Sequence, residues 1–375
     1  MEVIDEQGRL FGVVNVIDAL VVLLVLAVAV AGIALLTQSG GDDSAGSGGA
    51  DGTATTTRYA TLDLGNQPTY VVERIREGDE VTPGATTITV TDVYVGPGKG
   101  SSARTLVRVE IEGEAPSDQQ PLTVGDTPVT VGSGLQLDAT NYTVKGTIVD
   151  LDAGNPALET NETQVLLETT TSATRASQLH EGDTQRISDR AVARVESVTA
   201  YPTANAGQRR LLVGVTVQTF DRSGMTLFGN QRAAVGTGLT LDFGTHVFSG
   251  TVTRLGATTP PGDAATTTAV VELDNVSPGV ADSLAAGMTE SARGDTHARI
   301  TAVHAEPAQV TVRSDDGTLH LRDHPQNEDV TITVELSTRR TDDGLQFHGD
   351  RLQENDRIVL DFDTVTVRGT ATDLG

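Results

Sequence analysis

The histidines in the last third of this chain are the residues with the clearest capacity for metal chemistry. Five of the seven histidines lie there, at His297, His304, His320, His324 and His348. On a helix, the spacing of His320 and His324, with Asp323 between them, would place two imidazoles on one face as a metal clip. The segment is polar and ends at Pro325, so we predict a loop with exposed histidines and no metal site.

Carboxylates offer a second chemistry, the oxygen ligation of Ca²⁺. The acidic turns 315–317 and 342–344 lack the alternating spacing of a Ca²⁺ loop, and Asp-Gly is common in hairpins, so we predict ordinary turns. Asp138, Asp242 and Asp361 recur at one position of a repeated block. They alternate with core leucines, so we expect them to face solvent.

Catalytic and cofactor motifs are absent from the sequence. We find no Walker-type or GxGxxG loop, no GxSxG elbow and no HExxH helix, so we predict no catalytic residue, no cofactor and no enzyme activity. The lack of cysteine excludes disulfides, zinc ribbons and thiol catalysis. Aromatic residues are only 3%, which weakens any platform for stacking sugars or bases.

The net charge is −25, from 26 basic and 51 acidic residues, and Lys occurs only at Lys99 and Lys145. This charge argues against nucleic acid as a partner, and the pairs Arg209-Arg210 and Arg339-Arg340 are predicted to be solvated strand ends. The acidic, Lys-poor composition resembles that of haloarchaeal proteins. At ~1 M salt the screening length is about 3 Å, so carboxylate repulsion costs little there.

An apolar stretch without charge runs from Ala19 to Leu36 and predicts a transmembrane helix over residues 13–36. A cleaved signal peptide would have a shorter core and a more basic flank. Arg9 precedes the span and no basic residue follows until Arg58, which predicts a cytoplasmic flank (1–12) and extracellular domains. Residues 37–57 form a Gly/Ser/Thr/Asp linker. Three sequons agree with export as possible glycosylation sites: Asn141, Asn161 and Asn275.

The elements that position these residues come in three copies. The blocks 134–151, 238–255 and 357–374 share one pattern, with a leucine and a glycine nine residues apart: Leu137/Gly146, Leu241/Gly250 and Leu360/Gly369. We therefore predict a mostly β fold, with the transmembrane helix followed by three small β-barrel-like units at 58–152, 163–256 and 267–375. Similar patterns after Gly78 and after Gly134 indicate that each unit is itself duplicated. The interior glycines predict bulges or close backbone approach.

The start of the chain resembles domain of unknown function 4330. The resemblance rests on the motif GRLFG (8–12), on Asn15 and Asp18, and on the apolar span, and it extends more loosely to the glycine-bounded hairpins. Three units and the longer excursion at 314–329 depart from the family pattern. The resemblance implies a membrane-anchored, uncharacterised protein and supplies no catalytic residue.

These observations favour a membrane-anchored binding or assembly module in the cell envelope. Its expected partners are the lipid bilayer, contacted through one helix, and an envelope protein or polymer. The alternative is a component of a ring-like lipid or envelope-polymer transport assembly. That alternative requires a ring-forming interface and an apolar tunnel.

Overall fold

The structure is a computed structural model that describes residues 9–10, 14–15, 54–115, 121–205, 207–313 and 319–375. The chain divides into two compact bodies, Met1–Gly52 and Thr53–Gly375. In the first body, β1 (Arg9–Leu10) and β2 (Val14–Asn15) pair antiparallel. The rest of the predicted transmembrane segment lies outside the described residues. Within those residues, no helix is both long and apolar enough to cross a membrane.

The second body contains three repeats with the same order of elements. The first repeat consists of β3 (Ala54–Pro68), α1 (Thr69–Val72), β4 (Glu80–Val81), β5 (Thr87–Pro97), β6 (Ser102–Ala115), β7 (Thr123–Val124), β8 (Thr127–Pro128), β9 (Gly134–Ala139) and β10 (Tyr142–Asp152). Strand β3 therefore includes the last four residues of the predicted linker.

The other two repeats follow the same plan. The second repeat consists of β11 (Thr160–Ser172), α2 (Ala173–Ala176), β12 (Thr184–Ile187), β13 (Arg190–Pro202), β14 (Gln208–Arg222), β15 (Met225–Phe228), β16 (Gln231–Arg232), β17 (Gly238–Asp242) and β18 (Val247–Leu255). The third consists of β19 (Asp263–Val276), α3 (Pro278–Ala281), β20 (Thr289–Ala292), β21 (Asp295–Arg313), β22 (Leu319–Thr341), β23 (Gly344–Phe347), β24 (Asp350–Arg351), β25 (Arg357–Asp361) and β26 (Thr366–Leu374).

Each repeat folds six of its strands into one antiparallel, barrel-like sheet. The strand orders are β4-β5-β6-β3-β10-β9, β12-β13-β14-β11-β18-β17 and β20-β21-β22-β19-β26-β25. The two end strands of the sheet contact each other in the first repeat (β4 with β9) and in the third (β20 with β25). In the first repeat β3, β4 and β5 correspond to β6, β9 and β10. Exchanging the two members of each pair turns the strand order into its own reverse, and the other two repeats show the same relation. The duplication predicted within each unit requires this symmetry.

A turn that occurs twice per repeat shows the duplication in atomic detail. At each turn a residue with positive φ donates its N–H to a strand carbonyl, and the next residue's carbonyl accepts the N–H of that same strand residue. A bulge follows immediately in the strand, because the turn takes both hydrogen-bonding groups of that residue. The six pairs are Gly78/Val90, Gly132/Ile148, Gly182/Val195, Gly236/Val252, Gly287/Ile300 and Asn355/Ala371.

The core of each repeat is built from the alternating residues that the sequence singles out. Leu137, Leu241 and Leu360 are all buried, which confirms that they point inward. The glycines nine residues later lie against the first strand of their repeat. A Cβ on Gly369 would lie 2.5 Å from Val271 Cγ1, and one on Gly146 would lie 2.7 Å from Leu64 Cδ2. Close approach of two strands therefore explains these glycines.

Candidate functional site

The first two repeats meet where the turn between β15 and β16 lies against the end of β5; we call this contact the first junction. The Gly229 N–H donates to Tyr94 Oη (2.9 Å), and the Asn230 N–H donates to the Pro97 carbonyl (3.0 Å). A Cβ on Gly96 would lie 2.7 Å from Gly229 Cα, so only glycine allows this approach. Burial raises the pKa of Tyr94 to about 12, so its hydroxyl stays protonated and donates to the Gln218 carbonyl (3.0 Å).

Apolar and charged contacts surround this backbone contact. The ring of Tyr94 packs edge-on against Phe220, with centroids 4.9 Å apart, beside buried Leu106. Arg104 pairs with Asp63 of its own repeat (2.6 Å), and Arg222 of the second repeat binds the same carboxylate. Burial opposes ionisation of Asp63, but hydrogen bonds and the positive charge of the two arginines outweigh it and lower its pKa.

The second and third repeats meet in the same way, at the second junction. The turn between β23 and β24 brings His348 against Tyr201, with ring centroids 5.2 Å apart. Arg210 pairs with Glu168 of its own repeat (2.8 Å) and with Asp350 of the next repeat (2.6 Å). Both junctions thus join an arginine–carboxylate pair on one repeat to a charged residue on the next.

A buried acid lies behind the second junction. Glu290 is 2% exposed; its carboxylate binds His348 Nε2 (2.6 Å) and accepts the Asp361 N–H (2.9 Å). His348 stacks on Phe347 with centroids 3.6 Å apart, and His297 packs edge-on against both His348 and Tyr201. Both oxygens of the Glu290 carboxylate are hydrogen-bonded, so the carboxylate fixes His348 where its ring contacts Tyr201 of the second repeat.

We expect stability to fall as the pH drops below the ordinary histidine pKa of 6.5, because His297 resists protonation. Burial, and then the neighbouring His348, lower the pKa of His297, despite the opposing charges of Glu290 and Asp295. Below pH 6.5 the unfolded chain therefore binds more protons than the folded chain does. The stabilising contribution of the neutral His297 ring is complete above pH 6.5 and declines on acidification. His297→Gln should flatten this dependence in chemical denaturation, whereas the exposed-site variant His180→Gln should not. An unchanged pH dependence in His297→Gln would contradict this role.

The histidines of the predicted metal clip lie in strand β22, so the predicted loop is wrong. His320 pairs with Val312 across the hairpin, and His324 Nδ1 accepts the Asn327 N–H (2.7 Å). Four residues along a strand span about 13 Å, too far for one ion to bind both rings. Across the described ranges, no group of three His, Cys, Asp or Glu side chains could hold a metal ion.

The other predicted positions divide into two groups. Asp342-Asp343 forms a two-residue turn and Asp138 and Asp242 are exposed, as expected, while residues 315–317 lie outside the described ranges. Asp361 is a correction, because it is half-buried and binds Arg209 of the second repeat (3.0 Å).

The basic pair Arg209-Arg210 was expected to be a solvated strand end, and this is wrong. Both side chains are half-buried and ion-paired to the third repeat. Arg339 is likewise half-buried and donates to the Pro261 carbonyl (2.8 Å), while Arg340 is exposed. Arg209, Arg210 and Arg339 are therefore part of the contacts that stabilise the folded chain.

The three sequons lie in different surroundings, and their glycosylation stays a prediction. Asn141 is exposed in the turn between β9 and β10, and Asn161 is exposed on β11. Asn275 is exposed with a positive φ of 54°, and its Oδ1 accepts a hydrogen bond from Asn327 Nδ2 (2.9 Å).

Among the described residues, the third repeat alone carries a two-stranded ribbon that extends beyond its sheet. Strands β21 and β22 continue past Pro307 and Glu328 and pair from Gln309 with Asp323 to Arg313 with Leu319. In the first two repeats the same strands are joined by short connections. Large apolar side chains are exposed on this ribbon: Val312, Leu319 and Leu321, at 44%, 67% and 69%. Exposed apolar groups concentrated in so short a segment are typical of a contact surface.

Sequence reasoning missed the burial of the charged residue Arg108. It is 1% exposed and donates to Thr61 Oγ1 (2.9 Å), Asp150 (2.9 Å) and the Asn155 carbonyl (2.9 Å), and it also binds Asp152. Alternation with Val107 and Val109 assigns Arg108 to the outer face of the sheet. Asp150 and Asp152 lie two residues apart on β10, and this spacing was the available sequence signal for a positively charged partner.

The fold and junctions define the described body as three barrel-like β repeats joined one after another. The chain belongs to the family described as Domain of unknown function (DUF4330), whose model matches residues 1–152 and 255–375. These ranges contain the first and third repeats and exclude most of the second. No curated protein and no solved structure matches the chain.

Proposed function

We propose that this protein is a membrane-anchored, extracytoplasmic module that binds an envelope protein or polymer and has no enzyme activity. The ribbon of the third repeat carries the proposal, because it is the one extension of the repeat plan and it exposes Leu319 and Leu321. The apolar segment 13–36 and the position of Arg9 support anchoring with the array outside the cell.

The junctions support a role in presentation. Each repeat is held to the next by backbone, aromatic and ionic contacts, so the array carries the ribbon at a fixed distance from its first strand. A ring-like transport assembly, the alternative function, needs complementary faces at the two ends of the array. Glu114 occupies the position of Phe220 and Glu306 the position of Tyr201, and both are exposed. A contact between the two ends would therefore bury carboxylates without a cation to pair them.

Replacing Leu319 and Leu321 together by threonine should remove most crosslinks to partner molecules in living cells kept in their native salt. The change removes apolar contact area and keeps the strand, since threonine is a good β residue. His320→Ala with His324→Ala is the matched control on the same strand, and it should keep both the crosslinks and the phenotype. Crosslinks that survive in the threonine variant, or that vanish in the histidine control with abundance unchanged, would contradict the proposal.

Protease added to intact cells should release the array of repeats, because the linker is proposed to lie outside the cell.

A further inference from the structure

The strand pairing defines equivalent positions in the three repeats. Val107, Val213 and Ile332 occupy one position, since each pairs with the first strand and with the bulged strand of its own repeat at matching residues. The residues one and three positions earlier on the same strand give two further equivalent sets: Leu106/Leu212/Thr331 and Arg104/Arg210/Asp329. On the first strand, the residue after the partner of this position gives the set Asp63/Glu168/Glu272. On the bulged strand, the residue three positions after the partner gives the set Gly96/Tyr201/Glu306.

The first two members of each set form the junctions. Leu106 packs with Phe220 at the first junction, and at the second a Cβ on Gly349 would lie 3.5 Å from Leu212. Arg104 and Arg210 each pair with the carboxylate of their own repeat, and each pair receives a charged residue of the next repeat. The same surface is therefore used twice to accept a repeat.

The third repeat has lost this surface. Asp329 replaces the arginine, Thr331 replaces the leucine, and Glu306 is exposed where Gly96 and Tyr201 are covered. Glu272 stays in its place without the basic partner of its counterparts. Another repeat docked here would bury several carboxylates with no cation on this face to pair them, which strongly disfavours docking.

The opposite end of the array is acidic too. The second repeat docks with Gln218, Phe220 and Asn230, and the equivalent residues of the first repeat are Glu112, Glu114 and Asp126, all exposed. An end-to-end contact between two chains would therefore place carboxylates against carboxylates. Like charges opposed across an interface exclude a wrong partner.

We propose that the face formed by Arg104 and Leu106 in the first repeat, and by Arg210 and Leu212 in the second, is the surface that accepts the following repeat. In the third repeat Asp329 and Thr331 stand at these positions, and the other end of the array carries the acidic face of the first repeat. The ends accept neither a fourth repeat nor a second copy of the chain. This inference is independent of the function proposed for the ribbon.

Transplanting the third repeat's face onto the first repeat tests the proposal in the full-length chain. The chain has no cysteine, so Asn66→Cys with Asn230→Cys, whose amide groups lie 2.6 Å apart, reports closure of the first junction by one disulfide. Adding Arg104→Asp and Leu106→Thr should slow formation of that disulfide by about tenfold or more, because an uncompensated charge must be buried to close the junction. Arg340→Asp, the same charge change at an exposed strand position, should leave the rate unchanged.

Hydrogen exchange at core amides such as Val107 shows whether the first repeat of the transplant variant is folded. An unchanged disulfide rate in a folded variant would overturn the proposal. The complementary experiment places cysteines at Thr127, which is half-buried next to Asp126, and at His304, which is exposed two residues before Glu306. Non-reducing gels of this variant should show single chains, and a ladder of disulfide-linked chains would overturn the proposal.

Discussion

Replacing Leu241 by alanine is expected to lower the free energy of unfolding of the second repeat by ~2–5 kcal/mol. Leu241 lies in β17 with no exposed surface, opposite Phe248 and within a core that includes Val165 and Leu167. Removing its three outer carbon atoms leaves a cavity, and closely packed strands cannot relax to fill it.

Leu255→Ala is the matched control, since Leu255 lies at the end of β18 with 42% of its surface exposed. It should change stability by less than about 0.5 kcal/mol. Chemical denaturation in high salt measures the global effect, and hydrogen exchange assigns it to the second repeat, because a chain of three repeats need not unfold in one step. Equal effects of the two substitutions would show that Leu241 does not lie in a packed core.

The repeats could be predicted from sequence because the strands of a small barrel bury one face. That burial requires apolar residues at every second position, and close strands require glycine where a Cβ does not fit. Both requirements are local, so they recur as letters at fixed spacing, as at Leu241 and Gly250. The pattern identifies the face that points inward and contains no information on what covers the other face.

The misses follow from that limit. Arg210 lies on the outer face of its sheet and Arg209 precedes it near the strand end. Both were predicted to be solvated, but the third repeat forms ion pairs with both. The ribbon around His320 was predicted to be a loop because its sequence is polar and ends at Pro325. Both faces of the ribbon meet water, so its strands need no apolar alternation. For the arginines the deciding contact comes from a distant part of the chain, whereas the ribbon is a local hairpin that lacks the apolar pattern.

The buried cluster around Glu290 and His348 is a further feature that the sequence did not predict. Glu290 occupies the position of Gln185 in the second repeat, and both are buried in a short strand with the same burial pattern. The carboxylate is stable there because His348 reaches it from the turn between β23 and β24, and the Asp361 N–H reaches it from the end of β25. No spacing rule connects residues 290, 348 and 361, so the sequence alone could not assemble this site.

Replacing Arg108 by alanine is the second large effect that we expect, a loss of about 3 kcal/mol in the free energy of unfolding of the first repeat. The guanidinium fills a space between β6 and the segment around Asn155, and its removal leaves both a cavity and unpaired polar groups. Removing one partner of a fully buried ion pair costs roughly 3–5 kcal/mol. The side chains of Asp150 and Asp152 are 61% and 38% exposed, so both can regain water, which puts the estimate at the low end of that range.

Arg108→Met separates packing from charge. Methionine refills most of the space but offers no hydrogen bonds to Thr61 or to the Asn155 carbonyl, so we expect it to recover only part of the loss. Chemical denaturation at two salt concentrations provides the second measurement. The effect of Arg108→Ala should depend only weakly on salt, because the arginine is 1% exposed and buried contacts are poorly screened. If Arg108→Ala were as stable as the natural chain, the outer face of β6 would be open to solvent and the segment around Asn155 would not be held against it.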